Sequence, residues 1–96
     1  MAGVIPSLRA LSNPNRLKVY QCVCRAGRRK KKGIAIEEIC RELGMKQPAV
    51  SHHVAKLAAA GLLVRAKSRW WVYCTAPREG LAALARFVKN PALPLK

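Results

Sequence analysis

The stretch that most constrains the fold is Met45-Lys-Gln-Pro-Ala-Val-Ser-His-His-Val-Ala-Lys-Leu-Ala-Ala-Ala-Gly61. Val50, Val54, Leu57 and Ala58 recur in it at the spacing of one helical face. Gln47, Ser51, His52, Ala55 and Lys56 fall on the other side, mostly short or hydrogen-bonding groups. Gln47 and Ser51 lie one turn apart and share the N-terminal end of that side. A helix divided in this way needs a floor for its apolar stripe, and the rest of the chain must build it.

The flanking segments supply candidates for that floor. Residues 5–11 read as a short helix with Ile5, Leu8 and Leu11 on one side. Asn13 suits the N-cap of a second helix and Pro14 its first position. That helix runs to about Ala26, with Leu17, Tyr20, Val23 and Cys24 as its inner face and Gly27 as its stop. Arg28-Arg29-Lys30-Lys31-Lys32-Gly33 comes next, and like charges so dense read as a loop. It is either a solvated connector or a phosphate-binding arm, and the high net charge favours the arm. A nuclear-import signal is the weaker reading, because short basic runs match that pattern too easily.

Residues 35–43 read as a third helix, apolar at Ile36, Ile39, Cys40 and Leu43. Glu37 and Glu38 complement the dipole in its first turn. Gly44 ends it, and the opening helix starts after a brief turn, which is the helix-turn-helix arrangement. Leu62–Arg65 then reads as a strand, residues 66–69 as a cationic turn and residues 70–75 as the returning strand. Trp70 and Trp71 alternate across this hairpin, so one of them is expected to pack inward. Residues 78–89 form a last helix with Leu81, Leu84, Ala85 and Val88 apolar, and 91–96 a loose tail. With no internal repeat in sight, residues 1–96 read as one domain. It is mainly α with a small β-hairpin, in the order helix-helix-helix-helix-strand-strand-helix: a winged helix-turn-helix.

Charge narrows the function. Nineteen Lys and Arg face four acids, for a net charge of +15 on 96 residues. That balance points to nucleic acid or an anionic membrane surface. No run approaches the ~18 apolar residues of a membrane span. The first seven residues lack the basic segment and long apolar core of a secretory signal, so a cytoplasmic protein of bacterial or archaeal type is expected. A chain this short buries a modest core, and dimerisation is the usual supplement. In a winged helix the second helix of the motif enters the major groove. Surrounding cations fix its register on phosphates, and the hairpin tip reaches the flanking backbone or minor groove. Lys46, Lys56, Arg65, Lys67 and Arg69 are placed for phosphate. Gln47, Ser51 and His52 are the candidates for base edges, with Gln–adenine the favourable pair. An enzyme is not expected: the chain has no Asp, no glycine-rich phosphate loop and no Ser/His/acid set on a plausible scaffold. RNA-binding and protein-interaction modules are the alternatives from another class. The polar, cationic helix face argues against protein interaction, and a competition between duplex DNA and single-stranded RNA separates the nucleic acids.

Five segments also carry a family resemblance: Leu11-Ser-Asn-Pro-Asn-Arg-Leu17, Glu38-Ile-Cys-Arg-Glu-Leu-Gly44, Gln47-Pro-Ala-Val-Ser-His-His53, Leu57-Ala-Ala-Ala-Gly-Leu-Leu63 and Trp71-Val-Tyr73. In this order and spacing, over about residues 7–88, they resemble the ArsR/SmtB family of bacterial repressors. The resemblance implies a homodimer on a palindromic operator, released by an inducer. It also implies a dimer seam between the first and last helices, here Leu8, Leu11, Leu81, Leu84 and Val88. Three departures stand out. Lys46 replaces the Ser that usually caps the recognition helix. The Cys-x-Cys pair of the family's arsenic sensors would fall at Ala35 and Glu37, leaving only Cys40 as an auxiliary thiol. The Asp and His that zinc sensors carry on the last helix are missing from residues 78–90.

The cysteines leave a sensing alternative open. A cytoplasmic chain keeps Cys22, Cys24, Cys40 and Cys74 as free thiols. Cys22 and Cys24 point to roughly opposite sides of a helix and do not chelate as a pair. Core filling is the favoured reading of Cys24, Cys40 and Cys74, and Cys22, expected partly exposed, is the best thiol-sensor candidate. Metal(loid) or thiol sensing is therefore a minority reading, and no cofactor is expected. His52 and His53 are adjacent and cannot face one ligand, so a groove-facing His52 beside a packed or solvent-bridged His53 is expected rather than a metal site. The partners implied are duplex DNA and a second copy of the chain, with no membrane.

Overall fold

The computed structural model describes residues 3–30 and 32–94, so Lys31 of the basic run and residues 95–96 of the tail lie outside the described residues. Five helices and a small sheet follow one another: α1 (Val4–Leu11), α2 (Pro14–Gly27), β1 (Ile34–Ala35), α3 (Ile36–Leu43), α4 (Gln47–Ala59), β2 (Val64–Ser68), β3 (Trp71–Thr75), a 3-10 turn (Arg78–Leu81) and α5 (Ala82–Lys89). No helix among the described residues is long and apolar enough to cross a membrane.

Local signals in the sequence fix most of these boundaries. The Asn13 side chain accepts the Arg16 N–H at 3.0 Å, with Pro14 opening α2. Gly44 closes α3 in the left-handed region (φ 64°), where its N–H and that of Met45 both reach the Cys40 carbonyl. Gly61 (φ 80°) does the same for α4, and the Leu62 N–H returns to the Leu57 carbonyl at 2.9 Å.

The core lies where α2, α3 and α4 meet. Val19 and Val23 of α2, Ile39 of α3, and Val50, Val54 and Leu57 of α4 are all fully buried. The expected stripe of α4 is thus its inner face. On α2 the face is rotated from expectation: Val19, Cys22 and Ala26 join Tyr20 and Val23 inside, while Leu17 is exposed and Cys24 half-buried. Three helices, α1, α3 and α4, pack against α2, and that widens its buried arc beyond one stripe.

The sheet also departs from the expected hairpin. Ile34 and Ala35 form a short third strand, antiparallel to β3 with Ile34 opposite Cys74, so the order is β1-β3-β2. Gly33 makes this pairing feasible. Its φ is +90°, and a Cβ there would sit 2.2 Å from the Cys74 carbonyl oxygen. The glycine that closes the basic run therefore lets the chain pass against β3. Within the hairpin, Ala66, Lys67 and Ser68 lie in β2 rather than in the turn. Ser68 pairs with Trp71, so the turn is Arg69-Trp70 and Trp70 is outside the strand. Leu62 and Leu63 precede β2 and drop into the core instead of starting the strand. Neither tryptophan packs inward: Trp70 is 86% exposed and Trp71 43%.

Candidate nucleic-acid interface

Helix α4 is held from behind and free in front. Its buried Val50, Val54 and Leu57 fix the roll about its axis. At 100° per residue the outward stripe then runs through Pro48, His52, Ala55 and Ala59, with Ser51 and Lys56 on its flanks. Gln47, Pro48, Ala49, His52 and Lys56 are exposed and Ser51 half-buried. Pro48, Ala49, Ala55 and Ala59 were not picked out as site residues from the sequence, because a polar-residue search passes over apolar ones. On such a face they supply the close, flat surface that lets a helix approach base edges and thymine methyls.

The start of α4 is physically unusual. Lys46 occupies the N-cap position and makes no side-chain cap bond. Pro48, in the first turn, offsets part of that loss, since it has no N–H to leave unpaired. The first-turn amides carry the positive end of the helix dipole, and the exposed Lys46 adds a cation at the same end, a combination that attracts anions.

Arg65 and Lys67 alternate along β2 and so share one face of the ribbon, and all of β2 is exposed. Arg69 sits in the turn with φ +57°. Every cation expected to contact phosphate from α4 and the hairpin, namely Lys46, Lys56, Arg65, Lys67 and Arg69, is exposed.

The basic run is less free than a loose arm. Arg28 caps the C-terminus of α2, and the Arg29 and Lys30 amides bond back to the Ala26 carbonyl. The Lys30 ammonium donates to Glu38 Oε2 at 2.8 Å, and Arg29 lies 3.8 Å from Glu42. The lysine holds the Glu38 carboxyl below its ordinary range. Glu38 also accepts the Ala35 N–H at 3.4 Å, which ties the run to the start of α3. Arg28 and Lys32 keep exposed side chains without an ion pair among the described residues.

Cys22 is buried, which corrects its expected exposure. Its thiol donates to Glu42 Oε2 at 3.1 Å, and burial with that carboxylate beside it pushes the thiol up to about 12. Burial likewise pushes Cys74 up to about 11. The thiolate is the reactive form, so both cysteines are poor nucleophiles and poor sensors. Cys24 and Cys40 are half-buried against the core. No group of three or more His, Cys, Asp or Glu among the described residues is arranged to hold a metal ion.

His52 is exposed, whereas His53 is half-buried with Nδ1 enclosed and unpaired. Burial lowers the His53 pKa, and the Arg16 guanidinium and His52 add to the effect.

The residues expected at a dimer seam lie on α1, the 3-10 turn and α5. Leu8 is 45% exposed and Val88 70%, and Leu84 is half-buried. Leu11 and Leu81 lean on the core instead. Between α1, α5 and the tail lies an open depression of about 310 Å³, lined by Val4, Ala83, Arg86, Phe87, Leu93 and their neighbours.

Comparison with known proteins agrees with this geometry. The family described as "Helix-turn-helix domain" matches residues 11–66. Among solved structures, an ArsR family transcriptional regulator superposes with a TM-score of 0.76 at 19% identity, covering 95% of this chain and 92% of its own. The transcriptional regulator HlyU from Vibrio vulnificus gives 0.63 at 27% identity over 93% of this chain and 86% of its own. The transcriptional repressor BigR from Xylella fastidiosa gives 0.67 at 18% identity, over 94% and 88%. Among curated proteins none matches the sequence. The fold is thus shared with ArsR-family regulators, and the resemblance carried by the five sequence segments is met in three dimensions.

Proposed function

This chain belongs to the helix-turn-helix domain family, a family of DNA-binding regulators rather than enzymes, and from that premise we propose that it is a homodimeric, cytoplasmic repressor that binds a palindromic operator. The observation that carries the reading is the division of α4. Its three large apolar side chains are fully buried within the chain, its opposite side is open at His52 with Lys56 on the flank, and Gln47 is exposed at the N-terminal end of the helix. Residues 1–96 act as one DNA-binding domain in this reading.

The proposed division of labour has Gln47, Ser51 and His52 reading base edges. Lys46, Lys56, Arg65, Lys67 and Arg69 neutralise phosphates and set the register. Arg28 and Lys32 extend the phosphate contact, while Arg29 and Lys30 are first engaged with Glu42 and Glu38. A second copy seats against Leu8, Leu84 and Val88, which brings two α4 helices onto half-sites about one DNA turn apart, roughly 34–36 Å. Burial of Cys22 and Cys74 weighs against release through either thiol.

The test is selection of bound duplexes from a random pool, followed by titration of the selected site at several salt concentrations. The expected result is an inverted repeat whose binding falls steeply with salt. An affinity that barely moves with salt, or a preference for single-stranded RNA in competition, would overturn the proposal.

A further inference from the structure

The hairpin tip is built from residues that neither the core nor the turn requires. Eight consecutive residues, Val64 to Trp71, are exposed, so both faces of the outer hairpin stand in water. Two-stranded ribbons of this kind are marginal alone, and this one keeps its base through β3 and β1. The turn itself is Arg69-Trp70, with Arg69 at φ +57°. Two-residue hairpin turns take Gly, Asn or Asp where φ is positive. Here an arginine holds that conformation, and beside it a tryptophan is 86% exposed, the most exposed large apolar residue described.

We propose that Trp70 is a stacking wedge for duplex DNA, seating its indole against a base step in the minor groove beside the major-groove contact of α4. The proposal rests on the DNA-binding reading above. An indole has a broad rigid face that stacks on any base, and minor-groove proteins insert apolar side chains between steps to kink the duplex. Arg69 is at hand to enter the groove beside the indole, and Arg65 and Lys67 line one face of the ribbon for the flanking phosphates. Net charge favours the polyanion over a neutral apolar partner. Flexible pyrimidine–purine steps under the tip are the preferred seat, because they unstack most readily.

W71F leaves Trp70 as the sole tryptophan, and W70F leaves Trp71. Each protein is titrated with an end-labelled duplex of the selected site, whose anisotropy reports binding independently of tryptophan emission. At saturation Trp70 emission should fall by about half or more and its quenching by acrylamide should drop, with a smaller change for Trp71. W70A should bind about tenfold more weakly, with W70F close to wild type, as stacking predicts. A bound complex in which Trp70 stays open to acrylamide, or in which W70A binds as tightly as wild type, overturns the wedge and leaves DNA binding intact. Absence of any anisotropy change in all proteins removes the DNA-binding reading and the wedge with it. A Trp70 shift with phosphatidylglycerol vesicles but not with duplex overturns the wedge in favour of a membrane contact.

Discussion

Helices α4 and α5 both carry apolar residues at helical spacing, but the chain treats them differently. In α4, Val50, Val54 and Leu57 are fully buried against α2 and α3. In α5 no residue is buried: Leu84 and Phe87 are half-covered and Val88 is 70% exposed. Helix α1 beside it leaves Ile5 50% exposed. An apolar stripe satisfied within the chain frees the opposite face for a ligand. One left unsatisfied leaves an apolar face uncovered. A periodicity pattern cannot tell these cases apart, because it reports that a stripe exists and not what covers it.

The largest effect separating the two helices should be on stability. Leu57→Ala opens a cavity in the centre of the core and is expected to cost about 2–5 kcal/mol. Leu84→Ala, measured by urea unfolding at low protein concentration, should cost about 1 kcal/mol or less, because its side chain is already partly hydrated. Equal losses would mean that α5 is as much core as α4. Introducing a charge at the proposed seam sharpens the contrast. Leu84→Glu is expected to give monomers by sedimentation and to remove any concentration dependence of the melting temperature. A dimer of unchanged mass would place the seam elsewhere.

Much of the fold was legible because it is written in local chemistry. Asn13-Pro14, Gly44 and Gly61 mark helix ends by capping and left-handed backbone, which act over a few residues. The α4 stripe was legible because one face packs on one floor. Elements that depend on a distant partner were not. Strand β1 is two residues long and exists only because β3 comes to lie beside it. The α2 face is wider than one stripe because α1, α3 and α4 all pack on this helix, and Cys22 lies inside with its thiol against Glu42 of α3. The hairpin was misread mainly in its first strand, which runs Val64–Ser68 rather than 62–65, while the second starts at Trp71 rather than Trp70, since Trp at a turn position contradicts turn propensity. At the candidate site the polar and cationic residues were legible by type. Of the alanines between them, only Ala55 was placed on that side.

On the outer face of α4 the effects are smaller and differ in kind. Gln47→Ala and Ser51→Ala should each relax preference at one base position by about 1–3 kcal/mol while leaving nonspecific affinity nearly unchanged. Lys67→Ala should weaken all duplexes alike and lower the salt slope by about 1. Selection profiles and salt titrations on the same proteins distinguish the two. If all three variants lose affinity uniformly, the outward face of α4 docks on the backbone and does not read bases.

The smallest effect tests how tightly α4 is seated at its edge, where His53 meets Arg16 of α2. Burial, with Arg16 and His52 adding to it, lowers the His53 pKa below its ordinary value of 6.5. The unfolded chain therefore takes up a proton at this position at a higher pH than the folded chain does. The resulting stability is fully present above about pH 6.5 and is lost as pH falls through the folded value. The other lowered group, Glu38, starts from 4.5, so its contribution is lost in a more acidic window. Between about pH 7.5 and 5.5 the urea midpoint of wild type should decline, and His53→Gln should flatten that decline while sparing the neutral-pH fold. A variant with the wild-type pH slope would show that the edge of α4 is wet at His53, and that the dry seating of the helix stops at Val50, Val54 and Leu57.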